Sequence, residues 1–339
     1  MLNNAVIDLS ILKENALKVK QKLNTGVKFC AVVKANAYGH GAVEVANAIY
    51  NVADCFAVAT LEEAVELRYG GIDKEILCLT PFFHKEIDRA ISFRITATVS
   101  DIKQLKILQT RAKIQKTVAN AHLKFNCGMN RQGIDDLKTL KEILDFSLKC
   151  KNVNVNGLYS HLSAPENKNV LNSQVNAFLL ANNLIKRYND KVTCHVSASG
   201  GFLKGVQADM VRFGILLYGY KPFKSDLVDV KPVMKVYAPV LKQRLIKRGE
   251  GALYGNLTAK EDLTFNLIRY GYADGLFRKA VTGQFNNRCM DITAVLGKNN
   301  TKWGYPVMTN ADKLAKQYGT ISYEILTKCA FRAQKIYLR

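Results

Sequence analysis

The sequence predicts an α/β protein: an N-terminal (β/α)8 TIM-type barrel followed by a mainly-β C-terminal domain. Two observations carry this expectation. Over the first two-thirds of the chain, short runs of apolar and β-branched residues alternate with amphipathic stretches, the pattern of consecutive βα units. After about Lys231 the alternation stops, and strand-like runs follow one another with turns between them.

In chain order the candidate strands are Lys28 to Val33, Cys55 to Ala59, Glu75 to Thr80, Ile95 to Val99, Thr117 to Phe125, Val153 to Ser160, Val192 to Val196 and Asp209 to Arg212. Eight parallel strands over about 220 residues fit a closed barrel, whose chemistry collects at the C-terminal strand ends. Ala42 to Tyr50, Leu61 to Tyr69, Asp135 to Leu148 and Leu171 to Tyr188 read as helices between them, the second opening on Thr60 and Glu63 at capping-box spacing. No GxGxxG follows any strand, which argues against an open doubly wound sheet. In the second part, Val233 to Ile246, Thr264 to Tyr270, Met290 to Val295 and Ile321 to Leu326 read as strands, and only Ala311 to Gln317 as a helix. The expected division is therefore a barrel over 1–230 and a β domain over 231–339.

Composition narrows the function classes. The 339 residues are 48% hydrophobic and 23% charged, ordinary for a globular protein. No stretch reaches the roughly 18 uninterrupted apolar residues of a membrane span, and Met1 to Ser10 lacks a basic region followed by an apolar run, so a cytoplasmic protein without membrane contact is expected. The eight cysteines include no CxxC pair and the five histidines are dispersed, which points to neither a disulfide framework nor a metal site. The net charge of +21 would favour polyanions, but the lysines are interspersed with Glu and Asp on predicted helices; a nucleic-acid partner is not expected.

The chemistry starts at Val32-Val33-Lys34-Ala35-Asn36-Ala37-Tyr38-Gly39-His40-Gly41, at the end of the first barrel strand. A lysine there sits at the barrel mouth, partly desolvated, where its amine loses proton affinity and can become a nucleophile; a lysine snorkelling from the strand end is the alternative. Paired glycines let the backbone pass close to a ligand, and the tyrosine offers a hydroxyl.

This segment resembles the cofactor-lysine signature of the alanine racemase family. HLKFNCGMNRQG (His122 to Gly133), GLYSHLSAPEN (Gly157 to Asn167), DMVRFGILLYG (Asp209 to Gly219), GEGALYGNLTA (Gly249 to Ala259), RYGYADGLFR (Arg269 to Arg278), RCMD (Arg288 to Asp291) and TISYEIL (Thr320 to Leu326) follow in the family's order. The resemblance implies pyridoxal 5'-phosphate as cofactor, carried by Lys34, and interconversion of L- and D-alanine by α-proton transfer between two groups on opposite faces. Lys34 is one; Tyr254, implied to arrive from the partner subunit of a homodimer, is the other. His161 is implied to stand behind Tyr254, and Arg212 to meet the cofactor's ring nitrogen. Tyr38, Ser199, Gly214 and Ile215 match phosphate-binding positions. Arg131 matches a contact to cofactor and substrate, Met290 a backbone contact to the substrate carboxylate, and Tyr272 a residue near the entrance. Lys124 matches a lysine carbamylated in some relatives, and a plain lysine in an ion pair is the alternative. The family role implied is supply of D-alanine for peptidoglycan.

Some positions depart from the family pattern: Asn126 replaces a common Asp, Ala198 an Asn, and Phe331 a Tyr or Arg; RCMD is slightly compressed, and the C-terminal domain is short. They leave Lys34 and Tyr254 intact and bear on substrate preference. A pocket of this size separates a methyl from a hydroxymethyl group only by committing hydrogen bonds to the difference, so serine or a broader amino-acid set is the nearest rival to alanine. A barrel-type decarboxylase would place an acid where Arg212 stands. A non-catalytic, single-barrel cofactor carrier would lack the second domain and Tyr254.

Overall fold

The computed structural model describes residues 2–251, 254, 258–278, 288–296 and 301–339. Apolar runs buried on both faces form the barrel wall: β2 (Lys28–Val32), β3 (Cys55–Val58), β4 (Ile76–Cys78), β5 (Ala97–Val99), β6 (Ala119–Lys124), β7 (Val153–Tyr159), β8 (Thr193–His195) and β9 (Met210–Phe213), preceded by β1 (Asn4–Asp8) outside it. Strand β9 pairs parallel with β2, β2 with β3 and β3 with β4, while β5, β6, β7 and β8 pair parallel in turn. Single parallel bridges, Leu77 to Thr96 and Ala198 to Arg212, join the two halves into a closed ring. All eight expected barrel strands are present.

Helices cover the ring because their N-termini are capped in sequence: Thr60, Asp101, Asp136 and Asn167 each accept a backbone N–H at the start of Leu61–Tyr69, Ile102–Ile114, Leu137–Ser147 and Lys168–Lys186. The expected capping box of Thr60 and Glu63 is formed. The helix Leu9–Lys20 precedes β2, and Asn15 ties it to the chain after β9 by donating to the carbonyls of Leu217 (3.1 Å) and Lys231 (2.8 Å).

The C-terminal strands are β10 (Met234–Ala238), β11 (Val240–Ile246), β12 (Leu263–Ile268), β13 (Thr293–Val295), β14 (Tyr305–Met308) and β15 (Gln334–Leu338). They form two sheets, in the orders β14-β10-β1-β15 and β11-β12-β13. Strand β1 therefore lies in the C-terminal sheet, antiparallel to β10 and parallel to β15.

Two expectations need correction here. Val233 to Ile246 is not one strand but two in different sheets, because Pro239 between them has no N–H to give a ladder. Ile321 to Leu326 is not a strand: Ser322–Cys329 is a helix, so among the described residues the C-terminal part has two α-helices, Ala311–Tyr318 and Ser322–Cys329. Ile325, Leu326 and Cys329 are fully buried on its inner face, a helical spacing that packing enforces over the β propensity of Ile321 and Tyr323. Strands β1, β14 and β15 were not anticipated.

Candidate active site

The C-terminal strand ends open into a cavity of about 850 Å³. After β2 the backbone makes an unusual turn: Ala35, Asn36, Ala37 and Tyr38 all have φ between 52° and 54°, four successive residues in the left-handed region. Each costs on the order of 1–2 kcal/mol there, so the turn persists only because its surroundings over-determine it. Glu63 Oε1 accepts the Ala35 N–H (2.6 Å), Asn36 Oδ1 accepts the Ala42 N–H (2.8 Å), and a Cβ on Gly39 would come within 2.5 Å of the Leu326 carbonyl oxygen. The turn leaves Lys34 half-buried in the cavity wall and sends Tyr38 back inside, its ring 4.8 Å from that of Tyr218.

Four cations line the cavity: Lys34, Lys124, Arg131 and Arg212. Burial, and then the charge of Arg131, lowers the proton affinity of Lys34; Glu63 partly opposes this, and Arg212 adds to it. Burial and the charges of Arg131, Arg212 and Lys34 push Lys124 down to about 8. Its Nζ donates to Gln132 Oε1 (2.8 Å), and among the described residues it is in no ion pair. His161 lines the same wall, pushed down to about 3 by burial and by Arg212, Arg131, Lys34 and Lys124, so it is neutral at physiological pH.

Arg212 is buried and pinned. Its Nη2 donates to the carbonyls of Ser160 (2.7 Å) and Val196 (3.2 Å) and lies 3.4 Å from His161 Nδ1; its Nη1 donates to the His195 carbonyl (3.1 Å) and meets His195 Nδ1 at 2.5 Å. Opposite, Ser199 opens the short helix Ser199–Leu203 with its hydroxyl buried and, among the described residues, unpartnered. A Cβ on Gly214 would lie 2.5 Å from the Tyr38 hydroxyl oxygen, so only glycine lets the two approach. An orphaned hydroxyl, a glycine-dependent close approach and four convergent cations fit an anionic, phosphate-bearing cofactor.

Of the residues singled out from the sequence, Lys34, Tyr38, Lys124, Arg131, His161, Ser199, Arg212, Gly214 and Ile215 line this one cavity. Ala198, a departure from the family pattern, lines it too. Tyr254, Tyr272 and Met290 do not. Tyr254 is 66% exposed, and the adjoining residues 252, 253 and 255–257 of its motif lie outside the described residues. Tyr272 and Met290 lie elsewhere: the Tyr272 N–H donates to the Cys289 carbonyl (3.2 Å), the Ala273 N–H to the Met290 carbonyl (2.9 Å), and Tyr272 flanks a groove with Phe331. Sequence reasoning missed Tyr323, which lines the cavity with its ring 6.0 Å from that of Tyr38, and Tyr159, stacked flat on His195 at 5.0 Å. Tyr323 was legible as part of TISYEIL; reading that segment as a strand hid which way it points.

A half-buried amine at a barrel mouth, facing an anion cup, places the chain in the class of barrel-type pyridoxal-phosphate enzymes. Profiles of the alanine racemase N-terminal and C-terminal domains match residues 7–222 and 233–337. An alanine racemase from Treponema denticola is 32% identical, with 98% of this chain and 97% of the relative covered. Among solved structures, alanine racemase from Clostridium difficile 630 superposes with a TM-score of 0.91 at 29% identity, covering 100% of this chain and 96% of that one. The Bartonella henselae enzyme, solved with covalently bound pyridoxal phosphate, gives 0.86 at 26% identity, with 100% of both chains covered. The chain belongs to the alanine racemase family, whose members are pyridoxal-phosphate-dependent isomerases.

Proposed function

We propose that this chain interconverts L- and D-alanine as a homodimer, with Lys34 and the partner subunit's Tyr254 as the two proton-transferring groups. The observation that carries the reading is the half-buried Lys34 amine, lowered in proton affinity, in one cavity with Ser199, Tyr38 and Gly214 on one side and the pinned Arg212 on another. Pyridoxal phosphate, when bound, supplies the electron sink that makes the amino acid's Cα–H acidic. Lys34 holds the cofactor and, once released, takes or returns a proton on one face. Tyr254 serves the other. An unassisted phenol titrating near 10 is a poor base, so His161, neutral and cation-flanked, orients its hydroxyl. Arg212 keeps a permanent charge that discourages a second positive charge on the cofactor, weakening the sink and limiting side reactions.

Tyr38, Ser199, Gly214 and Ile215 form the phosphate cup; Arg131 and the Met290 backbone receive the substrate carboxylate; Tyr272 stands at the entrance. The exposure of Tyr254 in the single chain, outside the Lys34 cavity, supports a site completed by the partner. The work is divided between a barrel over 1–230 and a β domain over 231–339. We place the enzyme in the cytoplasm, supplying D-alanine for peptidoglycan; no helix among the described residues is long and apolar enough to cross a membrane.

The test is chiral analysis of L-alanine and L-serine incubated separately with the pyridoxal-phosphate-loaded protein, with Lys34→Ala as blank. D-Alanine formed by the wild type and not by the variant is the expected result. D-Serine formed faster than D-alanine would reassign the substrate, and no D-product from a cofactor-loaded sample would overturn the reading.

A further inference from the structure

Behind Arg212, the barrel interior holds a line of polar groups that the proposed reaction does not use. His195 Nδ1 faces Arg212 Nη1 at 2.5 Å; His195 Nε2 is 3.0 Å from His122 Nδ1; and His122 Nε2 is 3.6 Å from Glu75 Oε1. Both histidines are buried. Glu75 stands just before β4, at the opposite end of the barrel from Lys34, with 36% of its side chain exposed. Its Oε1 accepts from Thr96 Oγ1 (2.8 Å) and Asn156 Nδ2 (3.3 Å). Space for the line is built in: a Cβ on Gly157 would strike the His122 ring at 2.2 Å, so β7 carries glycine there. Tyr159, stacked on His195, is itself held by Thr98 Oγ1 (2.8 Å) and by donation to the Leu79 carbonyl (3.0 Å).

Proton counting gives this line a single direction. A guanidinium has only donors, so His195 Nδ1 must be the acceptor and its proton must sit on Nε2. That N–H can only donate to His122, whose Nδ1 is then the acceptor and whose proton sits on Nε2. At 3.6 Å the last link is longer than a hydrogen bond, but the buried N–H has no other partner among the described residues and points at a carboxylate. Each donor therefore points away from the active-site cation and toward Glu75. Reversing any tautomer would turn a His195 N–H against Arg212.

We propose that His122 and Glu75 are positioning residues for Arg212: the carboxylate at the far end of the barrel sets the tautomer of His122, His122 sets that of His195, and His195 thereby presents the lone pair that fixes the guanidinium in the cavity floor. The protonation pattern follows from the geometry alone. Its catalytic consequence rests on the racemase reading above. With the acceptor secured, Arg212 holds one orientation. Without it, the guanidinium has a choice of carbonyls, Ser160, Val196 and His195, and the cation drifts relative to the cofactor.

The experiment is long-range 15N–1H NMR of histidine-labelled, cofactor-loaded protein, which reports the tautomer of each ring, on wild type, Glu75→Ala and Glu75→Gln. In the wild type both His122 and His195 are expected as neutral Nε2–H forms. Glu75→Ala is expected to give mixed tautomers at both rings, and a kcat lowered roughly tenfold with KM within twofold, about 1.4 kcal/mol in the barrier. Pyruvate released per racemisation event should rise. Glu75→Gln keeps an acceptor oxygen and should restore most of both; it also serves if the alanine variant does not fold. A wild-type His195 protonated at Nδ1 or at both nitrogens would overturn the proposal, as would tautomers untouched by loss of Glu75. Correct tautomers in a protein that racemises nothing would leave the proton pattern standing and count against the racemase reading instead.

Discussion

Three histidines illustrate how burial sets protonation at single residues. His40 is fully buried and pushed down to about 4 by desolvation, against hydrogen bonds to the Tyr38 and Ala37 carbonyls; burial and neighbouring cations take His161 to about 3; His195 also lies well below its usual range, chiefly through burial. Each folded value lies below the unfolded one, near 6.5, so between the two the unfolded chain binds protons the folded chain refuses. Stability is then complete above about pH 6.5 and falls as pH drops toward 4, with His40 alone contributing on the order of 2–3 kcal/mol to the loss. Glu75 adds a loss of the same sign at lower pH. Burial raises its value, but the facing His122 ring, with hydrogen bonds from Thr96 and Asn156, holds it at about 2, and its stabilisation disappears as pH falls from its unfolded range. The midpoint of chemical unfolding should therefore be clearly lower at pH 5 than at pH 7.5; equal midpoints would mean these rings are protonated in the fold. Lys124, pushed down to about 8, has a neutral fraction at pH 7.5 able to add carbon dioxide. A carbamate carbon resonance in 13C-bicarbonate buffer, absent in Lys124→Ala, is expected, and a spectrum lacking it would leave a plain amine bound to Gln132.

At the scale of elements, the helix Leu61–Tyr69 and the left-handed turn after β2 share one carboxylate. Glu63 Oε2 accepts from the Ala59 N–H (2.8 Å) and Thr60 N–H (3.2 Å) at the helix start, while Oε1 holds Ala35. Thr60→Ala removes a cap, about 1 kcal/mol, and nothing from the turn. Glu63→Ala removes both, so cofactor dissociation should accelerate in that variant and not in Thr60→Ala; equal rates would show that the turn stands without Glu63. Gly214, after β9, offers a second check. Its alanine variant would crowd the buried Tyr38 hydroxyl, and cofactor affinity is expected to fall about tenfold, some 1.4 kcal/mol. Unchanged affinity would remove Tyr38 and Gly214 from the phosphate cup.

For the whole molecule, the question is which surfaces complete the site. Lys34 lines the cavity and the exposed Tyr254 does not, and Tyr272, Met290 and the 81%-exposed Phe331 also lie outside its lining. If two chains share each site, inactive Lys34→Ala and Tyr254→Phe proteins should complement on dissociation and reassembly. Random pairing makes about half the dimers hybrid, each with one intact site of two, so activity should return to about a quarter of wild type. No recovery from well-mixed dimers would place both groups in one subunit's site.

Much of this was legible in the chain itself. The barrel strands announce themselves because parallel strands covered on both faces are mainly apolar, and the helices because Thr60, Asp136 and Asn167 cap them locally. Lys34 was readable as a lysine ending an apolar strand, whereas the roles proposed for Arg212, Tyr38, Ser199, Gly214 and Ile215 came from the resemblance, and all of these residues line one cavity. What depended on contacts distant in sequence was not legible. β1 is a strand because β10 and β15 flank it some 230 and 330 residues away; Pro239 divides two sheets; and Ser322–Cys329 is a helix because its apolar face is buried, although its residues favour a strand. The line from Arg212 through His195 and His122 to Glu75 joins four strand ends or interiors that no local pattern relates. Local propensity and periodicity thus determined the elements and the lysine at the mouth, while the closure of the barrel decided which polar groups meet inside it, because hydrogen-bond polarity is defined only once both partners are in place.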